Sequence, residues 1–311
     1  MKVAVLYGGV SGEREVSLSS GKGIIKALKE KGHEVIGIDF NPNQLEEIIH
    51  LEADLVFIGL HGKHGEDGRI QGLLDMLGIP YVGSGVLASA LAMDKAKAKQ
   101  VFMMHNIPQA KSEVYTITSL SESENIAEEI KKAFNPPFVI KPNKEGSTLG
   151  LTIVTDSAQV LDGVKCAAAS DDTLLVEEFI KGRELTVAVM GKKGHEKALP
   201  IVEIIPKNTF YDYESKYAPG GSEHIVPALI DEEITNKIQS YAVLAHQSLG
   251  CETYSRVDFI LNEDNLPVIL EVNTLPGMTP TSLFPDAAKS IGISYSDMIE
   301  QFVNLTLENV K

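Results

Sequence analysis

Cysteine is nearly missing from this chain. Cys166 and Cys251 are the only two in 311 residues, far apart and outside any C-x-x-C spacing. A disulfide framework is excluded, and reduced thiols in a cytoplasmic protein fit best. No apolar run approaches the ~18–20 residues a membrane helix needs. Basic blocks are also missing: 28 Lys and Arg stand against 43 Asp and Glu, a formal charge of −15. So acidic a chain argues against nucleic acid and anionic membrane as partners, although local lysines can still make a pocket for phosphates. There is no repeat and no low-complexity tract. The glycine signatures G-x-G-x-x-G and G-x-x-x-x-G-K-[ST] are both absent, which counts against a dehydrogenase and a P-loop enzyme.

What is present is enough chain for two or three domains. Lys2–Tyr7 reads as a buried strand rather than a signal peptide. A Gly8-Gly turn and a helix to about Lys31 follow. Further strands are expected at Val35–Phe40 and Asp54–Gly59. This alternation predicts a parallel sheet with crossover helices. Ser11 and Glu13 fall at the C-terminal end of the first strand, where open α/β sheets bind ligands. Glu13 either caps the next helix or holds a ligand's ammonium. The third strand runs into a loop with His61, His64, Glu66 and Asp67, and the two histidines are too isolated for zinc. A domain boundary is placed near Ser84–Ala92. Asp94 reads as an N-cap for a lysine-rich helix, with Lys97 and Lys99 solvated.

Strand Phe138–Lys141 leads into a Gly/Ser-rich loop through Ser147, Thr148 and Gly150. Such a loop can fold over phosphates through N–H and hydroxyl donors. Strands at Thr173–Phe179 and Glu184–Met190 are joined by a short connection where a flat ligand can lie. The segment from Pro206 to Gly221 carries four aromatics, more apolar area than a plain solvent loop, and reads as a lid. Helix Asp231–Leu249 is structural, and Tyr295–Leu307 is a closing helix.

The most informative stretch is a hairpin, Arg256–Leu261 and Leu266–Thr274. A turn symmetric about Glu263-Asp264 would set Arg256 opposite Glu271 and Asp258 diagonal to it. Val268, Leu270 and Val272 would share the apolar face. The other face gathers two carboxylates, an amide oxygen and a guanidinium. It is either a solvated hairpin face with a cross-strand ion pair or a Mg²⁺ site, which takes few carboxylates and completes its shell with water and phosphates. The turn at Gly277, directly after, brings N–H groups close and favours the second reading.

Six motifs in order carry a resemblance over nearly the whole chain: residues 8–18, 61–68, 141–150, 210–217, 256–258 and 271–279. They resemble the D-alanine–D-alanine ligase family of the ATP-grasp superfamily. The resemblance implies an α/β protein with α+β elements. An N-terminal parallel-sheet domain (1–90) would precede a two-domain ATP-grasp fold, central (91–183) and C-terminal (184–311), the last carrying metal site and lid. The implied activity is ATP-dependent joining of two D-alanines through an acyl phosphate, for peptidoglycan precursor synthesis. It further implies that Asp258, Glu271 and Asn273 hold two Mg²⁺ ions, Mn²⁺ being a substitute. Lys95 and Lys141 would contact phosphates under the Ser147 loop. Glu177, with the backbone of Glu178 and Ile180, would read the adenine, and Glu184 the ribose. Glu13 would bind the first D-alanine's ammonium, with His61 nearby, and would form a set with Ser147 and Tyr217. Lys216, Ser282 and the Leu283 N–H would hold the second carboxylate. Arg256 and the Gly277 N–H would face the oxyanion. A cytoplasmic homodimer is the family expectation. Relatives that make the D-alanine–D-lactate ester differ at this lid position, so Tyr217 favours the dipeptide; a D-lactate or D-serine ligase is the alternative. The rivals are another carboxylate–amine ligase of the superfamily and a nucleotide-binding module without ligase chemistry. The module would not need Arg256, Ser282 and the lid together with the metal face.

Overall fold

The structure, a computed structural model, describes residues 1–206 and 221–309. Its first sheet is parallel in the order β2-β1-β3-β4, from β1 (Lys2–Gly8), β2 (Glu34–Phe40), β3 (Leu55–Ile58) and β4 (Tyr81–Val82). Strands β1 and β3 are buried almost throughout, as befits a sheet covered by its crossover helices. Helix Arg14–Glu30 lies so close to β1 that a Cβ on Gly21 would meet Tyr7 at 2.4 Å. Ser17 stitches this helix to two strand ends, donating to the Gly59 carbonyl and accepting from the Gly8 N–H.

Two antiparallel sheets follow. β5 (Ser112–Thr116), β6 (Phe138–Pro142), β7 (Thr152–Val154) and β8 (Thr173–Glu178) form one, ordered β5-β8-β6-β7. The other contains β9 (Gly182–Gly191), β10 (Lys197–Ala198), β11 (Val202–Pro206), β12 (Ser222–Ile225), β13 (Thr253–Asn262) and β14 (Pro267–Asn273). Its order is β12-β11-β9-β13-β14, with β10 on β9. Between Lys197 and Pro206 the chain forms two separate strands, β10 and β11. The expected boundary stretch Ser84–Ala92 falls largely on helix Val86–Met93.

Among the described residues, three apolar clusters hold the fold together. One packs the first sheet together with Tyr254, Phe284 and Phe302 from near the C-terminus. Tyr254 stacks on Phe302 at 4.2 Å, and Phe284 meets Phe302 edge-on at 5.4 Å. That contact fixes helix Leu283–Ser290, which the sequence reading did not anticipate, into the apolar cluster it shares with the first sheet. A second cluster sits between β9, β13, β14 and helix Glu232–Leu249, and the third fills the small antiparallel sheet.

The hairpin register departs from the symmetric turn. Leu261 pairs with Pro267 and Phe259 with Ile269, but a bulge then slips the pairing by one residue. Asp258 therefore stands directly opposite Glu271, and Arg256 opposite Asn273. The extra residue, Leu270, also breaks the alternation. Ile269 and Val272 share the core, and Leu270 is left half-buried. A bulge on one strand re-aims the side chains beyond it, and no periodicity in the sequence reveals that.

Candidate active site

The polar face of β13 and β14 opens on a cavity of about 880 Å³ between the first sheet and the last. Asp258 lies behind it, held by four donors. Arg256 Nε and Nη2 reach its two oxygens at 2.9 and 2.8 Å, Asn273 Nδ2 at 3.0 Å, and Thr186 Oγ1 from β9 at 2.5 Å. Because Asn273 turns its amide nitrogen to Asp258, its amide oxygen points the other way. Glu271, Asn273 and Arg256 line the cavity. Lys95 stands 3.4 Å from Glu271 and donates to the Glu145 carbonyl at 2.6 Å.

Among the described residues no three His, Cys, Asp or Glu side chains form a metal cage. The carboxylates of Asp258 and Glu271 and the Asn273 amide oxygen are an all-oxygen set. They fit a Mg²⁺ ion that arrives with phosphate ligands rather than a caged ion.

Glu13, at the start of helix Arg14–Glu30, makes no side-chain capping bond. Its carboxylate instead accepts from Ser147 Oγ, and its own N–H donates to Ser11 Oγ at 3.2 Å. Ser147 and Thr148 have φ of 51° and 64°, left-handed conformations that cost non-glycine residues energy and mark constrained loops. A Cβ on Gly146 would stand 3.2 Å from Glu13, so glycine lets the loop approach the carboxylate.

His61 is buried with both ring nitrogens engaged. Nδ1 faces the Leu275 carbonyl at 2.9 Å, so it carries the proton. Nε2, 3.0 Å from Ser20 Oγ, then accepts from that hydroxyl, which itself accepts from the Met278 N–H at 3.1 Å. Burial, and less strongly Arg256, hold the imidazole below its ordinary range despite Glu13 and the Leu275 carbonyl, so it is neutral. Its ring clamps the Leu275–Met278 turn, and hence Gly277, onto helix Arg14–Glu30. Gly277 sits beside Ser282, whose Oγ accepts from the Thr279 N–H at 3.0 Å. Leu283 begins the next helix.

Lys99 is a correction. It is buried rather than solvated, and its Nζ lies 2.7 Å from Glu177, which Lys141 also contacts. Burial opposes ionisation of Glu177, but the two ammonium groups outweigh it and bring its pKa down to about 2. Lys97 is exposed as expected, and Asp94 caps the helix by accepting from the Lys97 N–H. Glu178 is exposed and its N–H donates to the Lys111 carbonyl, so its carbonyl is what it has to offer a base. Glu184 lies on β9 between Ile204 and Ile260. Ile180 lies just past β8. Lys216 and Tyr217 fall outside the described residues.

The cavity thus collects Glu13, His61, Lys95, Ser147, Arg256, Glu271, Asn273, Gly277, Ser282 and Leu283 from six separate stretches. Lys141, Glu177, Glu178, Ile180 and Glu184 lie apart from its lining, around β6, β8 and β9. Sequence reasoning gave Glu66 no role. It is partly buried at the cavity wall, and its carboxylate accepts from the Gly62 N–H at 2.7 Å and the Leu275 N–H at 3.3 Å. Burial, then the charge of Glu13, push its pKa up to about 8. The His61 motif contained it, but nothing in the spacing said that its partner lies 209 residues away.

Residues 101–304 match the family model described as "D-ala D-ala ligase C-terminus", and residues 2–47 and 43–84 the corresponding N-terminus. A D-alanine–D-alanine ligase of Halalkalibacterium halodurans is 61% identical over 99% of this chain and 100% of its own. One from Carboxydothermus hydrogenoformans is 46% identical over 99% of each. Among solved structures, a D-alanine–D-alanine ligase from Bacillus anthracis complexed with ATP superposes with a TM-score of 0.84. It is 31% identical, over 99% of this chain and 98% of that one. A D-Ala:D-Ser ligase from Enterococcus faecalis gives 0.84 at 32% identity, over 98% and 99%.

Proposed function

The chain belongs to the D-alanine–D-alanine ligase family, and we propose that its cavity joins two D-alanines through an acyl phosphate formed from ATP. The observation that carries this reading is the convergence of Glu13, Ser147, Arg256, Gly277 and Ser282 on one cavity beside the Glu271–Asn273 strand end. Glu13, tied to Ser147, receives the first D-alanine's ammonium and leaves its carboxylate toward the phosphates. A carboxylate oxygen forms a bond to the γ-phosphorus as the bond to ADP breaks. Lys95, which meets the loop at the Glu145 carbonyl, and Lys141, on β6 just before the loop, offset the charge that builds up. Asp258, Glu271 and Asn273 would hold Mg²⁺, which would supply further charge neutralisation when bound.

Ser282 and the Leu283 N–H take the second D-alanine's carboxylate at the helix N-terminus, where the backbone dipole favours an anion. Its amine, having lost a proton, bonds to the acyl carbon. Arg256 and the Gly277 N–H, the latter held by the His61–Ser20 clamp, face the oxyanion, and phosphate departs. Glu177 orients Lys141 and Lys99, with the adenine laid against the Glu178–Ile180 connection and the ribose at Glu184. The homodimer and the cytoplasmic location belong to the same proposal. No described helix is long and apolar enough to cross a membrane.

The test is ADP release with ATP and Mg²⁺, using D-alanine, L-alanine, or D-alanine with D-serine or D-lactate, and products identified by mass. D-alanyl-D-alanine from D-alanine alone is the expected result, in keeping with the relative at 61% identity. A mixed product formed in preference would move the chain to the D-serine or D-lactate ligases. No product from any alanine would overturn the reading.

A further inference from the structure

One wall of the cavity carries a His–Asp pair to which nothing above gives a role. Asp286 lies in the first turn of helix Leu283–Ser290, and His224 on β12. His224 Nδ1 is 2.6 Å from Asp286 Oδ2, and His224 Nε2 is 3.2 Å from Ser222 Oγ. All three residues line the cavity. The side chains of His224 and Asp286 are 21% and 28% exposed, so both are within reach of a ligand.

Asp286 is four residues beyond Ser282, and the Asp286 N–H donates to the Ser282 carbonyl at 3.0 Å. Positions i and i+4 lie on one face of a helix, ~5–6 Å apart at Cβ. A bare Asp286 carboxylate would therefore stand one turn above the group read as holding the second substrate's carboxylate. Like charges at that spacing repel, and the carboxylate would also draw on the same helix dipole. The fixed cations lining the described cavity, Lys95 and Arg256, are already turned to Glu271 and Asp258. Among the described residues, His224 is the basic group that meets Asp286.

We propose that His224 is a positioning and specificity residue for the acceptor substrate: by pairing with Asp286 it keeps that carboxylate from repelling the acceptor's own carboxylate. This rests on the reading of Ser282 and Leu283 as the acceptor site. The pair also ties β12 to the helix that presents Ser282. The required feature of the acceptor is its carboxylate, so an acceptor whose carboxylate is amidated should not depend on the pair.

The test is a double-mutant cycle on dipeptide formation. Rates are measured against D-alanine, with one constant fitted for each subsite, and against ATP. Ser282→Ala marks which D-alanine constant belongs to the acceptor. His224→Ala should raise that constant about tenfold and leave the other constant and the KM for ATP within about twofold. Asp286→Asn should change little, and His224→Ala combined with Asp286→Asn should return the acceptor constant to within about threefold of the starting value. His224→Gln, which keeps a polar side chain at the position, guards against a folding defect and should fall between wild type and His224→Ala. A double variant as weak as His224→Ala would make the pair merely structural and overturn the proposal. So would a fall in kcat with Asp286→Asn, which would mark a proton-transfer role instead. If Ser282→Ala moved neither D-alanine constant, the acceptor site itself would be misplaced, a failure separate from that of the pair.

Discussion

The Ser147 hydroxyl donates to the Glu13 carboxylate across 134 residues of sequence, joining a strained loop of one sheet to the first helix of another. Ser147→Ala removes a hydrogen bond to a charged group, worth about 1.5–3 kcal/mol. The expected result is a fall in kcat/KM for D-alanine of about tenfold or more, with the KM for ATP less affected. Initial rates over both substrates check it, and equal losses for both would place Ser147 on the phosphates alone.

Glu271 faces Asp258 across the hairpin and pairs with Lys95 at 3.4 Å. Glu271→Gln keeps the shape and removes the charge. Turnover should fall by about two orders of magnitude at ordinary Mg²⁺, with partial recovery as Mg²⁺ is raised, as expected for a weakened cation ligand. Near-normal activity without added Mg²⁺ would remove the metal role.

Glu177 is held down to about pKa 2 by Lys141 and Lys99 against the cost of its burial, below the ordinary carboxylate value of 4.5. A depressed folded-state value contributes stability above the ordinary range, and that stability drains away as pH falls from about 4.5 toward 2. Glu177→Gln should cost about 3 kcal/mol at pH 7 and flatten the acid limb, because two buried ammonium groups lose their counter-charge. Urea unfolding between pH 3 and 8 measures both, and an unchanged acid limb would contradict the assignment.

Glu66 gives the opposite slope. Its folded-state value of about 8 lies above the ordinary 4.5, so the folded form binds the extra proton. The stability this contributes is complete below the ordinary value and is lost as pH rises through 8. Glu66→Gln should lower stability at pH 6 by about 1 kcal/mol, since an amide nitrogen cannot accept one of the two N–H groups. It should also remove the decline between about pH 4.5 and 8. Melting temperatures across that range decide it, and a persistent decline would assign it elsewhere.

Much of the site was legible because its parts are contiguous motifs. The Gly8-Gly turn before Glu13, the Gly/Ser loop at Ser147 and the acidic strand running into Gly277 each carry their chemistry within a dozen residues. The hairpin was also visible, since alternation along Arg256–Leu261 separates an apolar face from a polar one. Its register was not. The bulge opposite Asp258 leaves no trace in the alternation of one strand, yet it decides that Asp258, not Arg256, stands opposite Glu271. Lys99 misled for a related reason. A helix of alternating lysines looks solvated until Glu177, 78 residues away, is placed against one of them.

By itself, the sequence determined many of the strands and helices, the parallel character of the first sheet and the family, because propensity, periodicity and short motifs are local properties of the chain. Only the tertiary structure decided which charges meet. Glu66 reaches the Leu275 N–H, His61 clamps the Gly277 turn through Ser20, and His224 meets Asp286 across 62 residues. Such pairings depend on how sheets pack and slip past one another. Burial then sets their energies, raising Glu66 and, with two lysines at hand, leaving Glu177 ionised.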